Sequence, residues 1–490
     1  MKTNVTNISL SLALTPIAIL ILLLSINAFI FGDSALDGAN QFALLLAASA
    51  AALIAHGKGQ NWQTIQDGFI KSISSAMPSI LILLLIGSLA GTWMISGVVP
   101  AMIYYGLEFL NPKWFLVLSV IICAIVSIAS GSSWSTIATI GVALLGIGNA
   151  MEINEALVAG AIVSGAYFGD KISPLSDTTN LAPAMAGVDL FTHIQYMMYT
   201  TIPSLIITLI IFMVMGFTNQ SVINSEDIKE VQTAIQSTFN ITPWLFIVPL
   251  FLFIIIIKKV PALPALFAGT LCGGVFAVIF QPHIIQQIAG EGLTQIQASY
   301  MAVMRSIFTQ VSIPVDNENI KDLLNTGGMA GMLNTVWLIL SAMVFSGVME
   351  AAGILNRITQ AIMHRIETTG SLVTSTVMSC IFLNLTASDQ YISIVVTGRM
   401  FSKSYKDQNL KPEVLSRTLE DAGTVTSVLI PWNSCGAAQS AALGVPTIAY
   451  LPYCFFNLIS PIMSISVAYL NINIRKLTTN EPLKQTILSK

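Results

Sequence analysis

Apolar stretches long enough to cross a lipid bilayer recur along this whole chain, and nothing else limits its fold as much. A helix needs about 20 residues to span the hydrocarbon core. Runs of this kind occupy residues 12–31, 80–94, 114–129, 199–217, 244–257 and 445–470. Only 9% of the 490 residues are charged, against about a quarter in a soluble chain. The reading is an all-helical, multi-pass membrane protein of eleven to thirteen spans. The first run has only Lys2 before it and further runs behind it, so it is read as the first helix and not as a signal peptide.

The rest of the composition narrows the function classes. A net charge of −3 leaves no basic footprint for nucleic acid. The five cysteines and four histidines are scattered, without metal-ligand spacing. Two polar intervals separate apolar runs: residues 218–242, read as a connecting loop with a short surface helix, and 283–330, read as an amphipathic insertion. The expected organisation is a first transmembrane repeat over 1–217, the connecting loop, a second repeat over 243–471, and a tail over 472–490. Arg399, Lys403, Lys406, Lys411 and Arg417 cluster at one connection, and Arg475, Lys476, Lys484 and Lys490 populate the tail. Excess Lys and Arg marks the cytoplasmic side, which places both regions there.

The repeat is visible in the letters. "KISPLSDTTNLAPAMAGV" lies over "VLIPWNSCGAAQSAALGV", with Pro174 on Pro431 and Gly187 on Gly444, an offset of 257 (431−174). Gly141 meets Gly398 and Trp134 meets Tyr391 at the same offset, while Gly91 meets Gly347 and Gly97 meets Gly353 at 256 (347−91). Weak internal repeats of this kind typify secondary transporters, whose sites are built from broken helices where the repeats meet. Such breaks are tolerated only where they line a cavity or are buried in protein. Four of them pair up here. "SGSSWS" interrupts residues 113–147 and "NLTASDQ" interrupts 371–402. "GDKISPLSD", with Pro174, interrupts 153–186, and "IPWNSCG", with Pro431, interrupts 410–443. The repeats are expected to be inverted.

Oxygen donors dominate the breaks, which suits a hard cation such as Na⁺. An ionised carboxylate in the membrane costs about 2.5 to 3.5 kcal/mol even on a lenient scale, so each needs a cation or a proton. Asp177 and Asp389 have no cation near them in sequence, and they are expected to hold Na⁺. Each faces a serine in the repeat, Ser434 and Ser132. Ser133, Ser176, Thr178, Thr179, Asn180, Ser388 and Asn433 complete the expected ion-handling set, with Asp170 and Asp421 as adjacent carboxylates whose protonation releases Na⁺. Asp170 reads as either an ion carrier or the neutralised local partner of Lys171 at a helix end. Arg417 lies one turn before Glu420 and Asp421, which predicts a helix charge pair with Glu420. Trp134 and Tyr391 pack the site.

"SGAYFGDKISPLSDTTNLAPAMAGVDLFTHIQYMMYTTIPS" (164–204) closely resembles the signature region of the NhaC-type Na⁺/H⁺ antiporters, and "EDAGTVTSVLIPWNSCGAAQSAALGV" resembles that family's second-half counterpart. The resemblance covers about residues 10–471. It implies a bacterial inner-membrane exchanger that expels Na⁺ against inward H⁺ by alternating access, without a cofactor. Li⁺ is a second ion the same oxygens could take, and a homodimer is left open. The same family also includes carriers of malate and lactate or of amino acids, so an organic antiporter is the first alternative. An intramembrane hydrolase using Asp389 and Asp421, or a serine, is a remote one, since neither GxSxG nor HExxH is present.

Overall fold

The computed structural model describes residues 8–218, 225–313, 325–363 and 367–477. Among these the regular structure is helical apart from one short antiparallel strand pair, Val311–Ser312 with Asn325–Thr326, and a single bridge between Leu410 and Lys476. Nine described helices are long and apolar enough to cross a membrane. The number becomes eleven if two sharply bent pairs, Lys229–Thr238 with Pro243–Ile257 and Thr447–Tyr453 with Phe455–Tyr469, each count as one span. The expected range of spans is thus met only at its lower edge. The broken segments 155–186 and 412–443 stay outside this count because each is divided into short or polar pieces.

The connecting loop contains the expected surface helix, Ser225–Thr238. The insertion contributes helices Pro282–Ala289 and Gln295–Phe308 and then the strand pair. Lys484, Lys490 and His364 lie outside the described residues. The start of the tail docks on the basic connection: the Lys411 N–H donates to the Arg475 carbonyl at 2.9 Å and the Leu477 N–H to the Asn409 carbonyl at 2.7 Å.

All four predicted breaks are real, and they match in pairs down to backbone torsions. Helix Pro112–Ser130 starts on Pro112 at N1, capped by Asn111, and stops at Gly131 with φ +66°. Ser132 (φ −149°, ψ 113°) then caps the next helix through its hydroxyl. At the paired break, Ser388 has φ +56°, and Asp389 (φ −148°, ψ 130°) caps Gln390–Asp407 through its carboxylate. In the other pair, Ser176 (−73°, 136°) caps Asp177–Ala186 and Asn433 (−70°, 144°) caps Ser434–Leu443. Both prolines sit in the gaps, after Ile172 and after Leu429, where no helical N–H is required of them.

Tertiary contacts repeat at the same offset. Ser127 Oγ donates to the Ala166 carbonyl at 2.6 Å, and Asn384 Nδ2, 257 residues on (384−127), donates to the Gly423 carbonyl at 2.8 Å. The first break is the tip of a hairpin, since Gly148 packs beside Phe115. The paired break is also a hairpin tip, with Thr376 Oγ1 and Tyr405 Oη 3.1 Å apart and Ser393 Oγ donating to the Cys380 carbonyl at 2.9 Å. Helix Leu190–Thr218 touches the surroundings of both hairpins at opposite ends. Its Phe217 ring packs on Trp114, at the mouth of the first hairpin, with centroids 5.1 Å apart. Its Tyr196 Oη donates to the carbonyl of Asn473, beside the strap that covers 409–411 at the mouth of the second.

Gly131 illustrates how tightly the tips are built. A Cβ there would lie 2.6 Å from Leu175 Cβ and 2.9 Å from Ser176 N, on top of a left-handed φ. Gly187 has a comparable φ of +79° but open space around it. Gly187→Ala should therefore cost about 1 kcal/mol from backbone strain alone. Gly131→Ala should cost several times more because the two first-half breaks must separate. Thermal unfolding of the two purified variants in detergent compares them directly, and equal melting temperatures would contradict this packing.

Candidate functional site

The four breaks meet at one cavity of about 580 Å³. Ser132 and Trp134 reach it from the first hairpin tip, Asp170, Ser176, Asp177 and Thr178 from the second break, Gln390 and Tyr391 from the third, and Ser434 from the fourth. Helix ends pointing into one polar space create what an ion needs: free backbone groups and short side-chain oxygens, held in place by caps.

Asp170 is the best-organised carboxylate on the wall. Its Oδ2 accepts from the Ser133 N–H at 3.1 Å and from Ser133 Oγ at 2.6 Å. It is 7% exposed, and no lysine or arginine forms an ion pair with it among the described residues. Below it, Thr179 Oγ1 donates to the carbonyls of Asp170 and Lys171 at 3.1 and 2.8 Å, and Asn180 Nδ2 donates to those of Pro174 and Ser176 at 3.0 and 2.7 Å. Those bonds splint the break, so Thr179 and Asn180 support the site from behind. Asp177 is exposed at the cavity, as the first residue of its helix. Asp389 is 5% exposed and accepts from the Ile392 N–H at 3.0 Å. It lies behind the wall residues Gln390 and Tyr391, and the Tyr391 hydroxyl is near enough to feel Asp177, Asp389 and Asp170 together. In the same wall, Asn433 Nδ2 donates to the Asn384 carbonyl at 3.0 Å, and the Ser434 N–H donates to the Ser388 carbonyl at 3.0 Å, tying the two second-half breaks together.

The charged residues behind the cavity are arranged differently from expectation. Lys171 does not pair with Asp170. Its Nζ donates to Asp421 Oδ1, and to Ser460 Oγ at 2.9 Å, with both charged side chains fully buried. Asp421 also accepts from Thr200 Oγ1 at 3.1 Å and has Arg417 Nε 3.7 Å from its second oxygen. Asp421 therefore belongs to a resident ion cluster joining the two halves of the chain, and it is not among the residues lining the cavity. Of the i,i+3 and i,i+4 pairs open to Arg417, the one with Asp421 forms and the one with Glu420 does not. Arg417 turns to Asp421 and stacks on Tyr196, its Cζ 4.8 Å from the ring centre and its Nη1 donating to Tyr196 Oη at 3.1 Å. Arg475 covers the Tyr196 ring at the same 4.8 Å.

Three contributors escaped the sequence reading. Gln390 lines the cavity next to Asp389, while Thr200 and Ser460 hydrogen-bond the buried pair. Thr200, Ser204 and Thr208 form an i,i+4 polar stripe on an otherwise apolar helix, each buried. That stripe was the available signal.

Residues 165–472 match the model of the Na⁺/H⁺ antiporter family. The chain is 38% identical over 415 residues to the Na(+)/H(+) antiporter NhaC of Alkalihalophilus pseudofirmus, covering 85% of this chain and 87% of that protein. It is 37% identical over 412 residues to the Na(+)/H(+) antiporter NhaC of Bacillus subtilis, covering 84% and 88%. Its similarity to the malate-2H(+)/Na(+)-lactate antiporter of Bacillus subtilis is 35% over 435 residues, covering 89% and 90%.

Proposed function

The chain belongs to the Na⁺/H⁺ antiporter family, and on that premise we propose that it exchanges Na⁺ for H⁺ across a bacterial inner membrane, its cavity carboxylates taking one ion or the other. The observation that carries this reading is Asp170: a cavity-wall carboxylate aligned by Ser133, with no resident cation. A carboxylate so placed needs a positive partner, and it cannot hold Na⁺ and H⁺ at once. Asp177 at the same wall and Asp389 behind it extend the set, and Ser132, Ser176, Thr178 and Ser434 offer further oxygens. Two inverted repeats rocking about this point would expose it alternately to the two sides. The contacts of helix Leu190–Thr218 with the two hairpin mouths at its opposite ends support that inversion. Unequal affinity of the two states for Na⁺ and H⁺ drives the exchange, since a ligand shifts an equilibrium only by its differential affinity. The docked 409–411 and 473–477 segments carry Lys411, Arg475 and Lys476, which fits a cytoplasmic C-terminus.

Everted vesicles carrying a ΔpH dye test the exchange, with Na⁺, Li⁺ and K⁺ added in turn. Na⁺ and Li⁺ should collapse the pH gradient and K⁺ should not. An unchanged gradient on Na⁺ addition would refute the exchange. Asp389→Asn is an informative variant, because asparagine caps a helix as well as aspartate does and only the charge is lost. If Asp389→Asn and Asp177→Asn both keep full activity, neither holds Na⁺.

The cavity volume favours a second reading. About 580 Å³ falls in the range of small-molecule pockets, roughly 300 to 1,000 Å³, and Lys259 is at its rim. An organic anion exchanged together with the ions would fit there. Uptake of labelled malate, lactate or amino acids into proteoliposomes separates the readings, since none should move if the ions travel alone.

A further inference from the structure

The exchange proposed above leaves one buried acid unused. Glu420 opens the π-helical turn Glu420–Thr424, has no exposed surface, and neither of its carboxylate oxygens has a hydrogen-bond partner. Arg417, one turn earlier, gives Nη1 to Tyr196 Oη and lies 3.7 Å from Asp421 through Nε, while its Nε and Nη2 have no hydrogen-bond partner. The hydroxyls of Thr424, on the same turn, and of Thr397, on helix Gln390–Asp407, are also buried without partners. Cys380 packs against the same turn, its Sγ beside Gly423.

The fold itself does not ask for an acid here. The 257-residue offset (420−163) sets Glu420 on Val163, which is fully buried, and Thr397 on Ile140. At those two positions the first half carries hydrocarbon, while Thr424 falls on Tyr167 and Cys380 on Cys123. In the second half an orphaned polar group costs about 1 to 3 kcal/mol, and more if charged. Protonation removes the charge and with it the larger part of that cost. An intramembrane acid that packing does not require is a functional group by default, and π-turns often mark functional sites. The charges that act on it are Lys171 and Asp170 from helix Glu155–Ile172 and Asp421 beside it. Helix Thr369–Thr386 adds Cys380, and Arg417 sits one turn before it. Helix Asp177–Ala186 has Asp177 as its one ionisable residue, and helices Gln390–Asp407 and Phe455–Tyr469 face the cluster with the hydroxyls of Ser393, Thr397 and Ser460.

We propose that Glu420 carries a proton of the cycle in addition to the ions held at the cavity, so that more than one H⁺ moves per Na⁺. Only its O–H bond is made and broken, with H⁺ taken from one compartment and released to the other. The inference rests on the Na⁺/H⁺ exchange reading. Its consequence is net charge movement.

Proteoliposomes of the full chain, with the potential clamped by K⁺ and valinomycin, test it. The readout is the Na⁺ ratio at which the Na⁺-driven pH change nulls. For one net charge per cycle that ratio should shift about 50-fold per 100 mV in the wild type. Glu420→Gln should lose the shift yet retain ²²Na⁺/Na⁺ counterflow, which needs no net proton, and Glu420→Asp should regain it. The proposal is overturned if the wild type shows no shift, if Glu420→Gln keeps it, or if Glu420→Gln also loses counterflow, which would make the residue structural. A wild type with no Na⁺-driven pH change at any voltage would instead sink the exchange reading beneath it.

Discussion

Lys171→Met should destabilise the protein by about 3 to 5 kcal/mol, the usual result of removing one partner of a buried ion pair. Lys171 and Asp421 are both fully buried, and Lys171 gives Asp421 its closest positive contact. Without it, Asp421 keeps Thr200 and an Arg417 nitrogen at 3.7 Å, too far for a hydrogen bond. The pair also joins the second break of the first half to the π-turn segment of the second, so the loss should loosen the contact between halves. The double variant Lys171→Met/Asp421→Leu removes both charges of this pair but leaves Arg417 buried without its carboxylate partner, so it should be no more stable than the single variant. Melting temperatures of detergent-solubilised wild type, single and double variants measure this. A single or a double variant as stable as wild type would show that the pair does not hold the halves together.

The same pair shows why Lys171 is not the local partner of Asp170. Asp170 and Lys171 are adjacent, but neighbours on a helix point about 100° apart and do not face one another. Asp170 turns toward Ser133 and the cavity, and Lys171 turns away to a residue 250 positions later. No local pattern encodes such a partner. The same geometry decides between Glu420 and Asp421 as companions of Arg417: the i,i+4 residue faces it, and the i+3 residue faces the layer beyond.

The breaks were legible because their causes are local. A glycine or serine at positive φ, a capping Ser, Asp or Asn, and a proline between helices each act through their own backbone, and each recurs at the offset read from the letters. The bends at Lys229–Thr238/Pro243–Ile257 and Thr447–Tyr453/Phe455–Tyr469 were less legible. At the second the apolar pattern runs on through the corner and packing sets the direction, while the first lies at the end of the polar 218–242 interval. Asp389 was singled out for lacking a cation nearby, yet its best-defined contact is a helix cap. A capping carboxylate and a ligating one look alike in sequence, since both are an unpaired acid beside a helix start.

Asp170→Asn should abolish Na⁺-driven proton movement, by about 100-fold or more, with little change in stability. The amide fills the same space, and its oxygen in the Oδ2 position can still accept from both the Ser133 N–H and Ser133 Oγ, with the NH₂ in the place of Oδ1. What disappears is the charge, and with it any capacity to hold Na⁺ or a proton at that atom. Ser133→Ala provides the graded comparison. It keeps the carboxylate and the backbone donor but removes the 2.6 Å bond from Ser133 Oγ, a hydrogen bond to a charged group and so about 1.5 to 3 kcal/mol. Its half-saturating Na⁺ concentration should rise by about tenfold or more, with maximal exchange largely kept. Asp177→Asn, at the exposed end of the same wall, should fall between the two, because water already solvates that carboxylate. Initial rates of dye recovery against Na⁺ concentration rank the three variants. If Asp170→Asn exchanges Na⁺ as well as Asp177→Asn does, the ion is held at the mouth of the cavity and not beside Ser133, at the start of the Ser132-capped helix.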